Sequence, residues 1–339
     1  MQAEMQSRPV EMQSKPADKL RIVLSHSNDA VLETCPRKFE FTYIFQKFPA
    51  LEGKESDKSA ANVGTAVHEA AQEWARAHFI DNENNEDALN RAYYVLALHW
   101  DYTNETHVRP LGAAARLLYL MSKDRFWDEW DLCEVDQFGP AIEVPFQIKH
   151  LSAAADALNV ELITQGKLDL ILRNKHTGEI RCVDFKTTSK ARDTWEAEYR
   201  YSDQGPVYSF PLNAIENKPI GSELKVTYYM LSFSKVEQVP GDPNSTDLTV
   251  QASTFNYDAE LLTEMWEVKH ERIQRILRYL KNDKWPRTTH GCVTWNSTCR
   301  YFNVCHVRDK KQLARWFEFE NWKTKTREYK PVWVFEETI

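Results

Sequence analysis

The feature that most constrains this chain is a hairpin pattern between residues 162 and 185. Leu162 to Leu172 reads as a strand, Asn174-Lys175-His176-Thr177-Gly178 as a turn, and Glu179 to Phe185 as the returning strand. Gly166 lies inside the first run, where a missing side chain marks a close approach. Antiparallel pairing across the turn brings Asp169 toward Asp184. Asp184 and Lys186 are two apart, so on a strand they point to the same face. Two carboxylates and an ammonium in one place suit a hard divalent cation beside a water attacking phosphorus. Taken alone, however, D-x-K at a strand end is more often an ordinary surface ion pair.

Around this hairpin the hydrophobic period changes along the chain. Helices are expected at about Ala30 to Gln46, with Ser27 as N-cap, at Ala60 to Phe79, and at about 86–106 and 112–131. Ala141 to Ile148 alternates like a strand, and Pro145 predicts an edge or a bulge there. A helix over Asp193 to Tyr208, strands at Leu224 to Phe233 and Thr249 to Phe255, and a long helix from Asp258 to about Lys281 complete the pattern. The polar stretches Leu51 to Ser59 and Val239 to Ser245 read as loops. Helices ahead of a short antiparallel meander, then helix and strand, predict an α/β core with an N-terminal helical elaboration. The expected divisions are a disordered tail (1–19), an N-terminal helical part (20–135), the core (136–285) and a C-terminal cysteine-containing cap and tail (286–339).

Composition excludes some classes. With 42% hydrophobic and 12% aromatic residues, the 339-residue chain buries a large core, and no run of 18 apolar residues spans a membrane. The polar N-terminus lacks the apolar segment of a signal peptide, so a cytoplasmic location is expected. A net charge of −7 argues against coating nucleic acid non-specifically, but it leaves room for an acidic metal site with basic groups along one groove.

Gly166-Lys167-Leu168-Asp169, a turn, and Val183-Asp184-Phe185-Lys186-Thr187-Thr188 together resemble the PD-(D/E)XK nuclease superfamily, in its RecB-like exonuclease branch. Further matches follow in that branch's order. Cys35-Pro36-Arg37-Lys38-Phe39 looks like its C-P-R-x-[FY] helix and Gly64 to Glu69 like its G-x-x-x-H motif. Gln204-Gly205-Pro206-Val207-Tyr208 looks like its Q-x-x-x-Y element. Leu168 stands where the superfamily's name implies proline. The resemblance implies a restriction-endonuclease-like α/β core, a central mixed sheet flanked by helices, and Mg2+- or Mn2+-dependent hydrolysis of DNA, most often from an end. It implies that His68, Asp169, Asp184 and the Phe185 carbonyl bind the metal, that Lys186 acts on the attacking water, and that Gln204 and Tyr208 contact DNA. Without it, His68 reads as a helix histidine with a satisfied ring. Glu143 reads slightly better as the exposed side of its strand than as part of a site.

Cys292, Cys299 and Cys305 form C-x6-C-x5-C, and Cys35 lies far upstream. Three late ligands and one early resemble the iron–sulfur staple of several RecB-like nucleases, which implies a [4Fe–4S] cluster. The x6 spacing is longer than the family's usual two residues, so structural Zn2+ and plain buried thiols stay open beside the cluster. Cys133 and Cys182 read as core residues. Trp285, Trp295, Tyr301 and Phe302 read as apolar filling of the cap, with base stacking as the other reading. Lys269, Arg272, Arg275, Arg278, Lys281, Lys284 and Arg287 recur every three residues. They read mainly as a solvated helix, with two or three of them available to track a DNA backbone. No P-loop is found, so a helicase, recombinase or annealing protein would be a separate partner in phage or prokaryotic recombination and repair. A non-catalytic DNA-end or partner-binding module of the same fold and an endonuclease are the competing readings.

Overall fold

In a computed structural model, residues 19–49, 59–102, 110–136, 138–234, 247–294, 297–320, 322–324 and 330–339 are described. The tail expected over residues 1–19 apart from Lys19, which pairs with Asp156 at 2.9 Å, the two expected loops apart from Ser59, and Trp295 lie outside the described residues. No helix among those described is long and apolar enough to cross a membrane.

An eight-stranded mixed sheet organises the chain. Its strands are β1 (Leu20–Leu24), β2 (Trp130–Leu132), β3 (Ile142–Leu151), β4 (Val160–Asn174), β5 (Ile180–Thr188), β6 (Leu224–Ser234), β7 (Asp247–Tyr257) and β8 (Trp333–Thr338). The order is β7-β6-β5-β4-β3-β8, with β1 and β2 also on β4. The expected hairpin is present as β4 and β5, closed by a turn in which Asn174 Oδ1 accepts from the His176 and Thr177 amides. Gly178 takes φ +72°, a conformation cheap only for glycine. Strands β5 and β6 are parallel, so the chain must cross over between them.

That crossover consists of α5 (Arg192–Arg200) and α6 (Gln204–Ile215), where one continuous helix was expected. The helix breaks at Tyr201–Asp203, and Pro206 sits in the first turn of the new helix, where its missing N–H costs nothing. Earlier in the chain come α1 (His26–Thr34), α2 (Ser59–Phe79), α3 (Asn85–His99) and α4 (Leu111–Ser122). Later come α7 (Ala259–Asn282) and α8 (Lys310–Phe319). The helix expected from Ala30 to Gln46 is interrupted. Cys35, preceding a proline, is extended at φ −163°, and the chain restarts as Pro36–Phe39 and a π turn. The cap of α1 is Ser25 rather than Ser27: its side chain accepts from the Asn28 amide. The helix expected over 112–131 stops at Ser122, and Asp124 caps a short 3-10 turn before β2.

Helices α2, α3 and α4 cover one face of the sheet, packing on Leu170, Leu172, Val183, Phe185, Tyr229 and Leu231. Helix α6 and part of α7 cover the other face, against Leu168, Ile171, Cys182, Tyr228 and Met230. Burying each aliphatic side chain contributes about 1.5–3 kcal/mol, so these two layers dominate the fold's stability. Cys133 and Cys182 are core residues, as expected.

The alternation of faces reverses at one level of the sheet. On β3, Val144, Phe146 and Ile148 face the α6 side while Ile142 faces the α2 side. On β4, Leu168 and Leu170 divide the same way. The residues at the reversal are Glu143 and Asp169. Glu143 has φ +56°, a left-handed conformation that costs a non-glycine residue about 1 kcal/mol or more.

Candidate metal centre

On one edge of β4 two ladders fail to meet. Pairing with β1 ends at Leu24↔Thr164, and pairing with β5 begins at Leu170↔Val183. Beyond Val183, β5 leaves β4 and stays with β6 as far as Thr188↔Ser232. A fork therefore opens along residues 165–169, and Asp169 and Asp184 stand at its apex. The Phe185 amide donates to Asp169 Oδ2 at 2.9 Å, replacing the ladder bond lost to the divergence.

Helix α2 brings His68 to the same point. Gly64 sets that approach: a Cβ there would lie 3.1 Å from Thr187 Oγ1. The His68 Nδ1 lies 3.4 Å from Asp169 Oδ2, and its Nε2 lies 3.2 Å from Glu143 Oε1. Gln72, one turn on, bonds closely to both His68 and Glu143. Lys167 Nζ holds the other Glu143 oxygen at 2.9 Å. His68, Glu143 and Asp169 offer three ligand atoms within 4.8 Å of one another, and this is the one such group among the described residues. Glu143, read from sequence as the exposed side of its strand, thus belongs to the cluster. Its reversed backbone turns it toward Asp169, and nothing in a strand pattern signals that.

Asp184 stands beside this group. Its Oδ1 pairs with Lys186 Nζ at 2.8 Å, and its Oδ2 accepts from the Tyr208 hydroxyl at 3.2 Å. Tyr208 in turn accepts from Gln204 Nε2 at 3.1 Å. The two α6 residues expected to contact DNA therefore form a chain to the Asp184 carboxylate from the lining of the cleft.

The electrostatics favour a cation. Burial opposes charge on His68, but Asp169, Glu143 and Asp184 outweigh it and lift its pKa to about 9. Burial, with Asp184 close by, pushes the Asp169 carboxyl well above its usual range. Burial also works against ionised Glu143, yet His68 and Lys167 hold it at about 2. Lys186 keeps its proton despite burial, drawn by Asp184 and Asp169. A cluster that recruits protons to balance crowded carboxylates offers a divalent cation the same place, and one imidazole with carboxylate oxygens suits Mg2+ or Mn2+. The group opens on a cleft of about 1000 Å³ running along the fork.

The cysteines differ from this. Cys35 touches the Gly291 backbone, where an added Cβ would lie 2.9 Å from Cys35 Cβ, and the Cys299 amide donates to the Cys292 carbonyl. Burial pushes the Cys305 thiol up, with Cys35 and Cys299 near enough to add to it. No three of the four sulfurs come within 4.8 Å of one another. Zinc–sulfur bonds of about 2.3 Å need thiolates closer than that, so these residues do not fit a tetrahedral Zn2+. The cap is held by apolar and polar contacts instead: Tyr301 is buried against Phe41, and Arg37 donates to the Val307 carbonyl at 2.7 Å. Trp285 is buried beside Phe39, while Phe302 is exposed.

The basic row on α7 also has a different role for its first three members. Lys269 is buried in an ion pair with Asp29, Arg272 bonds Glu33 and Asp203, and Arg275 bonds Glu33. They fasten α1 to α7.

The family profile described as PD-(D/E)XK nuclease superfamily matches residues 23–306. A solved structure described as a "Putative exonuclease" from Eubacterium rectale is 13% identical, covering 90% of this chain and 100% of its own, with a TM-score of 0.42. The solved protein designated SSO0001 is 10% identical, covering 62% of this chain and 73% of its own, with a TM-score of 0.26. Among curated proteins, none matches significantly.

Proposed function

The chain belongs to the PD-(D/E)XK nuclease superfamily, and on that premise we propose that it is a Mg2+- or Mn2+-dependent deoxyribonuclease of the RecB-like exonuclease branch. The observation that carries this reading is the His68–Glu143–Asp169 ligand group with the Asp184–Lys186 pair beside it at the apex of an open cleft. His68, Glu143 and Asp169 would hold the cation, with Asp184 and the Phe185 carbonyl as further candidate ligands. When bound, the cation supplies Lewis acidity at the scissile phosphate. Lys186, kept protonated by Asp184, orients the attacking water and offers positive charge to the phosphate oxygens. Tyr208 and Gln204 fix the Asp184 carboxylate and border the path of the DNA. The cysteines take no part in this chemistry. Trimming DNA ends for recombination or repair, with a separate helicase, recombinase or annealing protein, is the role that fits such an enzyme.

The test is cleavage of end-labelled single- and double-stranded DNA with Mg2+ or Mn2+. Wild type releases short products progressively from ends and Asp184→Ala does not. Equal cleavage by both removes the site assignment, and internal cuts in circular DNA move the protein to the endonuclease reading.

A further inference from the structure

The fork in the sheet is longer than its apex needs. From Asp169 it runs back along β4 to Gln165, four residues or about 13 Å away at strand rise. That exceeds the distance between neighbouring phosphates of one nucleic-acid strand. At the far end two features meet. The register of β1 on β4 ends at Leu24↔Thr164, so Ser25, the N-cap of α1, follows on beside Gln165. Ser25 satisfies the Asn28 amide. The His26 and Ser27 amides have no acceptor among the described residues, and His26 and Ser27 are exposed in the wall of the cleft. Such a helix start presents donors and the positive end of its dipole.

The second feature is Gln165 itself. It is 8% exposed, it lines the cleft, and its amide has no hydrogen-bond partner among the described residues. Its cross-strand neighbour Gln147 accepts from Arg21 at 3.4 Å. The Gln165 side chain is enclosed over most of its surface while its amide reaches the open cleft, so a donor and an acceptor face whatever occupies the cleft there. Ion pairs brace the wall behind: Asp203 engages His26 Nδ1 and is itself held by Arg272.

We propose that the start of α1 together with Gln165 is a second phosphate subsite, which holds the substrate strand more than one phosphate away from the bond that is cut. This rests on the nuclease reading above and extends it to the enzyme's length requirement. The His26 and Ser27 amides and the Gln165 amide donate to the phosphate oxygens, and Lys167, on the same face as Gln165, lies between the subsite and Asp169. The subsite favours strands long enough to span both places over dinucleotides.

Two measurements test it on the full chain. The first is the ratio of kcat/KM for a single-stranded dodecanucleotide to that for a dinucleotide, in wild type, Gln165→Leu and His26→Pro, the last of which removes a donating backbone amide at a helix position that tolerates proline. Loss of a hydrogen bond to a charged group predicts that the ratio falls about tenfold in each variant. An unchanged ratio in both overturns the subsite. The second is fluorescence anisotropy of a labelled dodecanucleotide in EDTA. The expected result is weaker binding by both variants, and equal affinity overturns the proposal. His26 lies at the surface and keeps the test valid if Gln165→Leu misfolds. Wild type that binds the dodecanucleotide in a Gln165-dependent way but cleaves neither substrate sinks the nuclease reading and leaves the subsite standing. Wild type that binds no oligonucleotide sinks the subsite.

Discussion

Two charged clusters border the same cleft, and they are balanced differently. At the back of α1, Asp29, Glu33 and Asp203 face three fixed cations, Lys269, Arg272 and Arg275. At the fork, Glu143, Asp169 and Asp184 have only Lys167 and Lys186, with a histidine that must take up a proton to help. The first cluster is complete and joins two helices. The second lacks positive charge and lies where the sheet opens. Burial of charge therefore marks a functional place only when the count is left short.

The largest expected effect separates the two directly. Asp169→Asn keeps the oxygen that accepts from the Phe185 amide but removes a carboxylate from a crowded group. DNA cleavage falls by roughly 10²–10⁴-fold, the scale of losing a positioned acid or base group. The urea midpoint in chelator stays level or rises. A clear loss of stability would show that the fork is a structural cluster like the other.

Lys269→Met should behave oppositely. It removes the close partner of Asp29, 2% exposed, and leaves it only Arg272 at 3.9 Å among the described cations. Breaking a buried pair costs about 3–5 kcal/mol, read as a lower urea midpoint, while any surviving folded protein keeps its metal affinity. Adding Asp29→Leu recovers most of the loss. If Lys269→Met is neutral, the pair is not what joins α1 to α7.

Two histidines give the comparison a pH axis with opposite signs. His68 is lifted to about 9, so its stabilising charge is fully present below pH 6.5 and is lost as pH rises through 9. In chelated protein that amounts to about 3 kcal/mol at most, reduced by the solvent reaching the ring. His150, beside the complete cluster, is held neutral at about 3 by burial, Lys269 and His270. The unfolded chain takes up its proton first, so stability falls from pH 6.5 downward toward pH 3, by a few kcal/mol. Urea titrations across pH should show His68→Gln flattening the alkaline limb above pH 6.5 and His150→Gln the acid limb between pH 6.5 and about 4.5, above the range in which Glu143 titrates. Either variant flattening the other limb reverses the assignment.

The smallest effect is at the rim. Glu33 is half exposed, and Glu33→Gln should cost about 1 kcal/mol or less in the same unfolding assay, although two arginines reach it. A larger loss would make the rim as important as the buried pair.

Much of this was legible in the sequence. The hairpin carrying Asp169 and Asp184 follows from periodicity and a turn, and Lys186 follows from spacing. His68 needed the ordered resemblance, because its partners come from strands some 75 and 100 residues away. Glu143 was not legible, since its inclusion depends on a backbone reversal shared by two strands. Two helix boundaries had readable causes, Cys35 before Pro36 and Pro206 at a helix start, but periodicity outweighed them. The row from Lys269 to Arg275 read mainly as a solvated helix because sequence cannot show that Asp29, Glu33 and Asp203 lie across from it.

The last strand has a consequence for how the chain is made. β8 covers the outer edge of β3 from Phe146 to Leu151, in parallel register. Residues 333–338 leave the ribosome long after β3 and β4 have been synthesised, so during translation that edge is bare while the rest of the sheet can already pair. An apolar strand with an open edge is a template for other nascent chains. Slow decoding before the final segment should therefore increase aggregation more than an equal delay earlier in the chain.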